Sequence, residues 1–448
     1  MAMKEDYRLI ADALADDVTA GRLRPGDRLP PQREFARARG IASSTAARVY
    51  GELVRRGLAV GEVGRGTFVR AAAPPPDPAL TEPSGAARVD LELNFSVLPE
   101  QPALLAPALE AIVRPEALGA ALSPVGITGP PGAREAASTI LARGDWIPDP
   151  RHILFAGNGR QAVAAAIAAL VPVGERLGVE ALTYPVVKGI AARLGITLVP
   201  IAMDGAGLIP DALRAAHRAT PLRAVYLQPT LHNPLGVTMP AQRREELADT
   251  LRALDLFAVE DAVYAFLREL PAPLAALAPD RTLVADSLSK RLSPGLTLGF
   301  VVPPAGPVAD RVGAALRSGG WTAPRFALTT ATRWMSDGTT ATLVEAKRRD
   351  AAARQELARK ALHGYAVRAD PHAYHCWWEL PEPWRAETFV AAAARHGIAV
   401  TPAAAFTVGP GHAPNAVRLA LAAPPVDTLA AALTVLATLA RDEYTGVE

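Results

Sequence analysis

A single cysteine, Cys376, in 448 residues leaves no intramolecular disulfide to form. It sits in a His-Cys-Trp-Trp stretch and reads as a buried apolar thiol. No Cys-x-x-Cys or His-Glu-x-x-His pattern accompanies it, or His372 and His375, so packing is expected of these residues and no metal. Long apolar runs are missing too. The most extended, Ala162 to Val173, falls well short of the roughly twenty residues that cross a bilayer, so no membrane span is expected. The opening MAMKEDYRLIADAL mixes acids among its apolar residues and lacks the basic start, apolar stretch and cleavage site of a secretory signal. These absences together point to a cytoplasmic protein.

Half of the residues are apolar and 21% are charged, as in a globular chain, and 448 residues exceed what one core organises. At least two folded units are expected. The net charge of +2 conceals an asymmetry: residues 1–70 hold 13 Lys plus Arg against 9 Asp plus Glu, and the remainder 34 against 36. Between Arg22 and Arg56, nine arginines face only Asp27, Glu34 and Glu52. Such a local excess suits phosphates, because binding them releases counterions.

Within residues 5–20, Tyr7, Ile10, Ala11, Leu14 and Val18 fall on one helical face. A turn through Pro25 and Gly26 follows. Pro31 suits the first turn of a second helix reaching Arg39, Gly40 breaks it, and Ser43 or Ser44 can cap a third helix to about Arg56. Leu58, Val60, Val63, Thr67, Phe68 and Val69 then alternate among Gly61, Gly64 and Gly66, which reads as a two-stranded hairpin. This is the order of a winged helix-turn-helix, whose third helix enters the major groove by its N-terminal end. Ser43, Ser44, Thr45 and Arg48 are therefore candidates for base or phosphate contact, with Arg33 and Arg65 clamping the DNA backbone. The stretch GRLRPGDRLPPQREFARARGIASSTAARVYGELVRRGLAVGEVGRGTFV resembles the GntR family of bacterial regulators. Many of its members carry arginine where this chain has Ser43 and serine where it has Pro31, so the operator is expected to differ.

Residues 71–89 are rich in proline and alanine without amphipathic period, as in a semi-rigid linker. From residue 90 to 448, short apolar runs (HILFA, ERLGVE, LRAVYLQP, LFAVED, TLVADS) alternate with helical patterns, the mark of a mostly parallel, helix-covered sheet. This large segment resembles the fold type I aminotransferases. The two units together resemble the MocR subfamily of GntR regulators. The fold class implied is α/β: a winged helix-turn-helix at 1–70, a linker, and an aminotransferase-like domain at 90–448 that binds pyridoxal 5'-phosphate. Its small C-terminal α+β subdomain is expected from about residue 335.

Residue by residue, the resemblance places Lys290, in Ser-Leu-Ser-Lys-Arg after a strand, as the amine that forms an imine with the cofactor aldehyde. Such a lysine needs its pKa lowered by burial or a neighbouring cation. Asp261, ending the strand LFAVE, would pair with the pyridine nitrogen, keeping the ring an electron sink. Tyr264 and Asn233 would donate to the ring's phenolate oxygen, and Tyr184 would stack on the ring. The intervals of 28 residues from Asn233 to Asp261 and 29 from Asp261 to Lys290 each suit one strand-helix-strand unit. For the phosphate, Gly159 and Arg160 would offer amides at a helix start, with Ser287 as a further ligand. Two departures weaken that grip: Gly159-Arg160 replaces the more usual Ser-Gln, and Thr297 stands where a phosphate-binding arginine is expected. Arg160 or Arg291 could supply the missing charge. Arg418, within Asn-Ala-Val-Arg-Leu-Ala-Leu, matches the residue that grips a substrate carboxylate by a bidentate fork.

The function implied is a transcriptional regulator of a double-stranded DNA operator, sensing pyridoxal phosphate or an amino compound and acting as a homodimer. Two alternatives are an active aminotransferase with an accessory DNA-binding module, and a cofactor-free dimerisation scaffold.

Overall fold

The computed structural model describes residues 7–19, 22–24, 26–55, 58–62, 66–69, 88–409 and 413–441. At the N-terminus, helices Tyr7–Thr19, Gln32–Arg39 and Ser43–Arg55 bury Ile10, Leu14, Phe35, Val49 and Leu53 against one another. Gly40 ends the second helix at φ 66°, a left-handed conformation in which a side chain would strain the backbone. Pro31 is the residue before that helix rather than in its first turn. Ser43 and Ser44 do not cap the third helix either: the Ala42 carbonyl accepts from the Thr45 and Ala46 amides, which puts both serines inside the first turn. Strands Ala59–Glu62 and Gly66–Val69 pair antiparallel as the wing. Arg65, Val63 and most of the proposed linker lie outside the described residues.

Buried parallel strands read as continuous apolar runs because helices cover both faces, and the five runs picked out above become strands. A seven-stranded sheet runs, edge to edge, through Leu154–Ala156, Gly299–Val302, Thr282–Ser287, Phe257–Asp261, Ala224–Leu227, Arg176–Glu180 and Thr197–Ile201. Only Gly299–Val302 runs against its neighbours. One apolar core lies under helix Gly159–Leu170, another under helices Pro131–Leu141 and Arg325–Ser336.

Helix Thr339–Ala361 leads to a second sheet of five strands, in the order Ala366–Ala369, His375–Glu379, Ala416–Ala420, Ile398–Pro402 and Val89–Leu91. The last strand corrects the expected boundary. Val89 pairs with Ile398 rather than ending a linker, so the small subdomain is built from both sides of the large one. Trp378, Trp384 and Cys376 pack in its core, and burial pushes the Cys376 thiol up to about 12.

The wing lies against this subdomain. Val60 and Phe68 share a buried apolar cluster with Leu235, Trp377 and Phe406. The Ala413 amide donates to the Gly61 carbonyl at 2.7 Å, and the Arg385 guanidinium covers the Phe68 ring at 3.7 Å.

Candidate cofactor and effector site

In an open α/β sheet, ligands gather at the carboxyl ends of the strands. Here a cavity at those ends is lined by Gly159, Arg160, Tyr184, Asn233, Asp261, Tyr264, Ser287 and Lys290. Eight residues scattered over the sequence thus meet at one place.

Asp261 closes strand Phe257–Asp261 and is buried. The Tyr226 hydroxyl and the Gln228 amide donate to one of its oxygens at 2.6 and 2.9 Å, and the Val263 amide donates to the other at 3.1 Å. All three donors are neutral, and among the described residues no salt bridge reaches this carboxylate. Burial accordingly raises its pKa to about 6, against the opposing pull of those hydrogen bonds. A buried carboxylate without a cation is the partner that a protonated ring nitrogen needs.

Lys290 belongs to the four-residue helix Leu288–Arg291 directly after strand Thr282–Ser287. Its ammonium donates to the Asn94 carbonyl at 2.5 Å and stands 3.4 Å from the centre of the Phe95 ring. Desolvation, with Arg418, Arg160 and Lys347 as neighbouring cations, drives its pKa well below the ordinary lysine value, against the pull of Asp261. A neutral amine can attack an aldehyde; an ammonium cannot.

Asn158 caps helix Gly159–Leu170 by accepting from the Gln161 amide, which leaves the Gly159 end open on the cavity. A Cβ on Gly159 would meet the Ser287 hydroxyl at 2.8 Å. Glycine there keeps the hydroxyl and the helix start close enough to converge on one anion. Thr297 joins the same wall: its hydroxyl lies 2.8 Å from Ser289 Oγ, itself 3.1 Å from Ser287 Oγ. Of the two arginines considered for the missing charge, Arg291 is tied to the Asp286 carboxylate, whereas Arg160 lines the cavity.

Tyr264 accepts a hydrogen bond from Asn94 Nδ2 at 3.1 Å. Arg418, on strand Ala416–Ala420, donates to the Glu92 carbonyl, to Thr401 Oγ1 at 2.9 Å and to Asn233 Oδ1 at 3.4 Å, while its buried Nε has no partner among the described residues. The positions of all these groups suit pyridoxal phosphate: an amine, an unpaired carboxylate and an anion cradle surround one cavity.

Sequence reasoning missed Asn94, Phe95, Tyr226 and Gln228, whereas His375, for which packing is expected, is buried. His375 stacks beside Tyr264 with ring centres 5.5 Å apart, and burial pulls its pKa down to about 3. Gln228, in the same Gln-Pro-Thr-Leu-His-Asn stretch as Asn233, could have been suspected from that proximity. Nothing in the sequence marks Asn94 or Phe95. Among the described residues no cluster of three metal-ligating side chains occurs, and no helix is long and apolar enough to cross a membrane.

At the N-terminus, Arg33, Ser43, Ser44 and Arg48 are exposed and Thr45 is half-buried. Arg48 is not left free, since its guanidinium lies 4.0 Å over the Tyr7 ring.

The two parts of the chain define a winged helix-turn-helix fused to an aminotransferase fold. Residues 6–69 match the family described as bacterial regulatory proteins, gntR family, and residues 110–436 match aminotransferase class I and II. An HTH-type transcriptional regulator of Bacillus subtilis strain 168, YdeF, is 31% identical over 427 residues, 94% of this chain and 91% of that protein. The HTH-type pyridoxine biosynthesis transcriptional regulator PdxR of Corynebacterium glutamicum is 27% identical over 304 residues, 64% of this chain and 63% of that one. An archaeal alanine:glyoxylate aminotransferase superposes with a TM-score of 0.72 at 21% identity, covering 80% of this chain and 92% of its own. The chain belongs to the HTH-type transcriptional regulators of the GntR family that carry an aminotransferase class I and II domain, the MocR arrangement.

Proposed function

We propose that this regulator binds pyridoxal 5'-phosphate at Lys290 and adjusts its hold on a double-stranded DNA operator when the cofactor, or an amino compound reacting with it, fills the site. Phe406 carries this reading. It shares a buried cluster with Val60 and Phe68 of the wing, and the Arg418 guanidinium lies 5.3 Å from its ring. A ligand carboxylate at Arg418 therefore acts one residue away from the DNA-binding unit. For occupancy to matter, the ligand must favour one arrangement by a few kcal/mol.

Bound there, the cofactor supplies an aldehyde and an electron-withdrawing ring. The chain's own residues do the rest. Asp261 would hold a proton at the ring nitrogen, and Tyr264 and Asn233 would serve the ring's oxygen. Ser287 and the Gly159–Arg160 amides would receive the phosphate. Tyr184 would stack on the ring, Lys290 would present an amine of lowered pKa, and Arg418 would orient a carboxylate.

A homodimer suits both halves, because paired winged helices read paired half-sites. Helix Pro115–Ala121 buries none of its residues, and Val113, Leu122 and Phe326 are exposed, an apolar surface of the kind a second copy covers. Catalytic turnover as an aminotransferase is a second reading, favoured by the lowered pKa of the buried Lys290 amine; transfer of an amino group to a keto acid over many cycles decides it.

The test is a titration with pyridoxal phosphate followed both by near-visible absorbance and by operator affinity. Wild type is expected to gain a saturable band and a shifted affinity, and Lys290→Ala to gain neither while still binding the operator. A band in Lys290→Ala would disprove the lysine assignment; a band in wild type with unchanged operator affinity would disprove sensing.

A further inference from the structure

Lys347 is fully buried, and the chemistry above uses it only as a charge near Lys290. It lies on helix Thr339–Ala361, which joins the two subdomains. Its ammonium donates to three backbone carbonyls: Ser96 at 2.8 Å, Lys290 at 2.9 Å and Leu292 at 2.6 Å. An ammonium has three donors, and all three are satisfied.

Two of the three acceptors sit where the short helix Leu288–Arg291 stops. The last carbonyls of a helix have no partner within it, and a cation at that end satisfies them and opposes their aligned dipoles. Lys347 does this from inside the protein. The Leu292 carbonyl also accepts from Gln101 Nε2 at 3.0 Å. The Ser96 carbonyl belongs to the segment whose Asn94 and Phe95 surround the Lys290 amine. One side chain thus ties the backbone of Lys290, the segment over its tip and the helix that leads to the small subdomain.

We propose that Lys347 is a positioning residue for Lys290: by capping the carbonyls of Lys290 and Leu292 and binding that of Ser96, it fixes the backbone from which Lys290 reaches the cofactor. This rests on the reading of Lys290 as the cofactor lysine. A second effect is electrostatic. Burial brings Lys347 down to about 7 despite the nearby Asp350 carboxylate, so it carries a substantial share of positive charge at neutral pH. That charge joins Arg418 and Arg160 in lowering the pKa of Lys290, against Asp261. A lysine that only filled space would do neither.

The full-length chain without cofactor is treated with acetic anhydride across pH, and acetylation of Lys290 is quantified by peptide mass spectrometry. In Lys347→Met the midpoint for Lys290 is expected to rise by about one unit as the neighbouring cation is lost. Pyridoxal phosphate binding, read from its absorbance band, is expected to weaken about tenfold, roughly 1.4 kcal/mol. A folded Lys347→Met with the wild-type midpoint and affinity overturns the proposal. Should that variant not fold, Lys347→Gln keeps two of the donors without the charge: a raised midpoint with closer to wild-type affinity supports the proposal, and an unchanged midpoint overturns it. If wild type itself gives no band, the cofactor reading fails, while the acetylation midpoint still decides the role of Lys347.

Discussion

The guanidinium of Arg418 and the ring of Phe406 lie 5.3 Å apart, the first facing the cavity residue Asn233 and the second buried with the wing. One aromatic side chain therefore lies between Arg418 and the wing.

Replacing that ring without emptying the space separates the two roles. Phe406→Leu is expected to cost less than about 1.5 kcal/mol of stability and to leave operator affinity without ligand within about twofold, roughly 0.4 kcal/mol. The change in operator affinity on adding pyridoxal phosphate should shrink to less than half of the wild-type value on a logarithmic scale. Fluorescence anisotropy with labelled operator measures both, and an undiminished response would remove Phe406 from the coupling.

Asp261 gives the cofactor-free protein a definite pH dependence. Its pKa is about 6 when folded, against about 3.9 in an unfolded chain, so the folded state binds the proton more tightly. The resulting stabilisation is complete below about pH 4 and gone above about pH 6, up to about 3 kcal/mol for this one group. Denaturant unfolding of wild type and Asp261→Asn should therefore show a difference that moves in the variant's favour as pH rises through that window. A difference constant from pH 4 to 8 would contradict the raised pKa.

On the DNA side, Arg33 and Arg48 should behave differently. Arg33 is exposed, and Arg33→Ala should reduce the slope of log affinity against log salt by about one unit. Arg48 is engaged with Tyr7. Arg48→Ala is expected to loosen the packing of the first helix on the third by about 0.5–1 kcal/mol, leaving the salt slope as it was. Equal slopes for both variants would place the two arginines in the same role.

The close approach of Gly159 and Ser287 predicts an interaction between substitutions. Gly159→Ala should weaken pyridoxal phosphate binding at least about tenfold, roughly 1.4 kcal/mol, because its Cβ would meet the Ser287 hydroxyl at 2.8 Å. Adding Ser287→Ala should recover part of that loss, with a coupling of about 1 kcal/mol. Strict additivity in the double-mutant cycle would show that the two residues do not share one cradle.

Much of this was legible from the sequence because the signals were local. Phe257–Asp261 and Thr282–Ser287 are buried on both faces, so their apolar runs mark them as inner strands, and Asp261 and Lys290 stand at their ends. Gly40 marks a helix stop whatever surrounds it. The strand Val89–Leu91 was not legible, since its partner Ile398–Pro402 is distant in the chain and three residues carry no period. Lys347 was hidden for another reason: it opens the run Lys-Arg-Arg-Asp, which reads as a solvated surface, and only the helix's rotation turns that one charge inward. Ser43 and Ser44 misled because a serine before a helical run suits a cap, and the helix begins at Ser43, one residue earlier than a Ser43 cap and two earlier than a Ser44 cap would allow.

The strand Val89–Leu91 joins the small sheet immediately before Glu92, whose carbonyl is held by Arg418. In chain order, then, the segment that follows the winged helix enters the aminotransferase fold at its small subdomain, and the point of entry adjoins the residue that Arg418 holds.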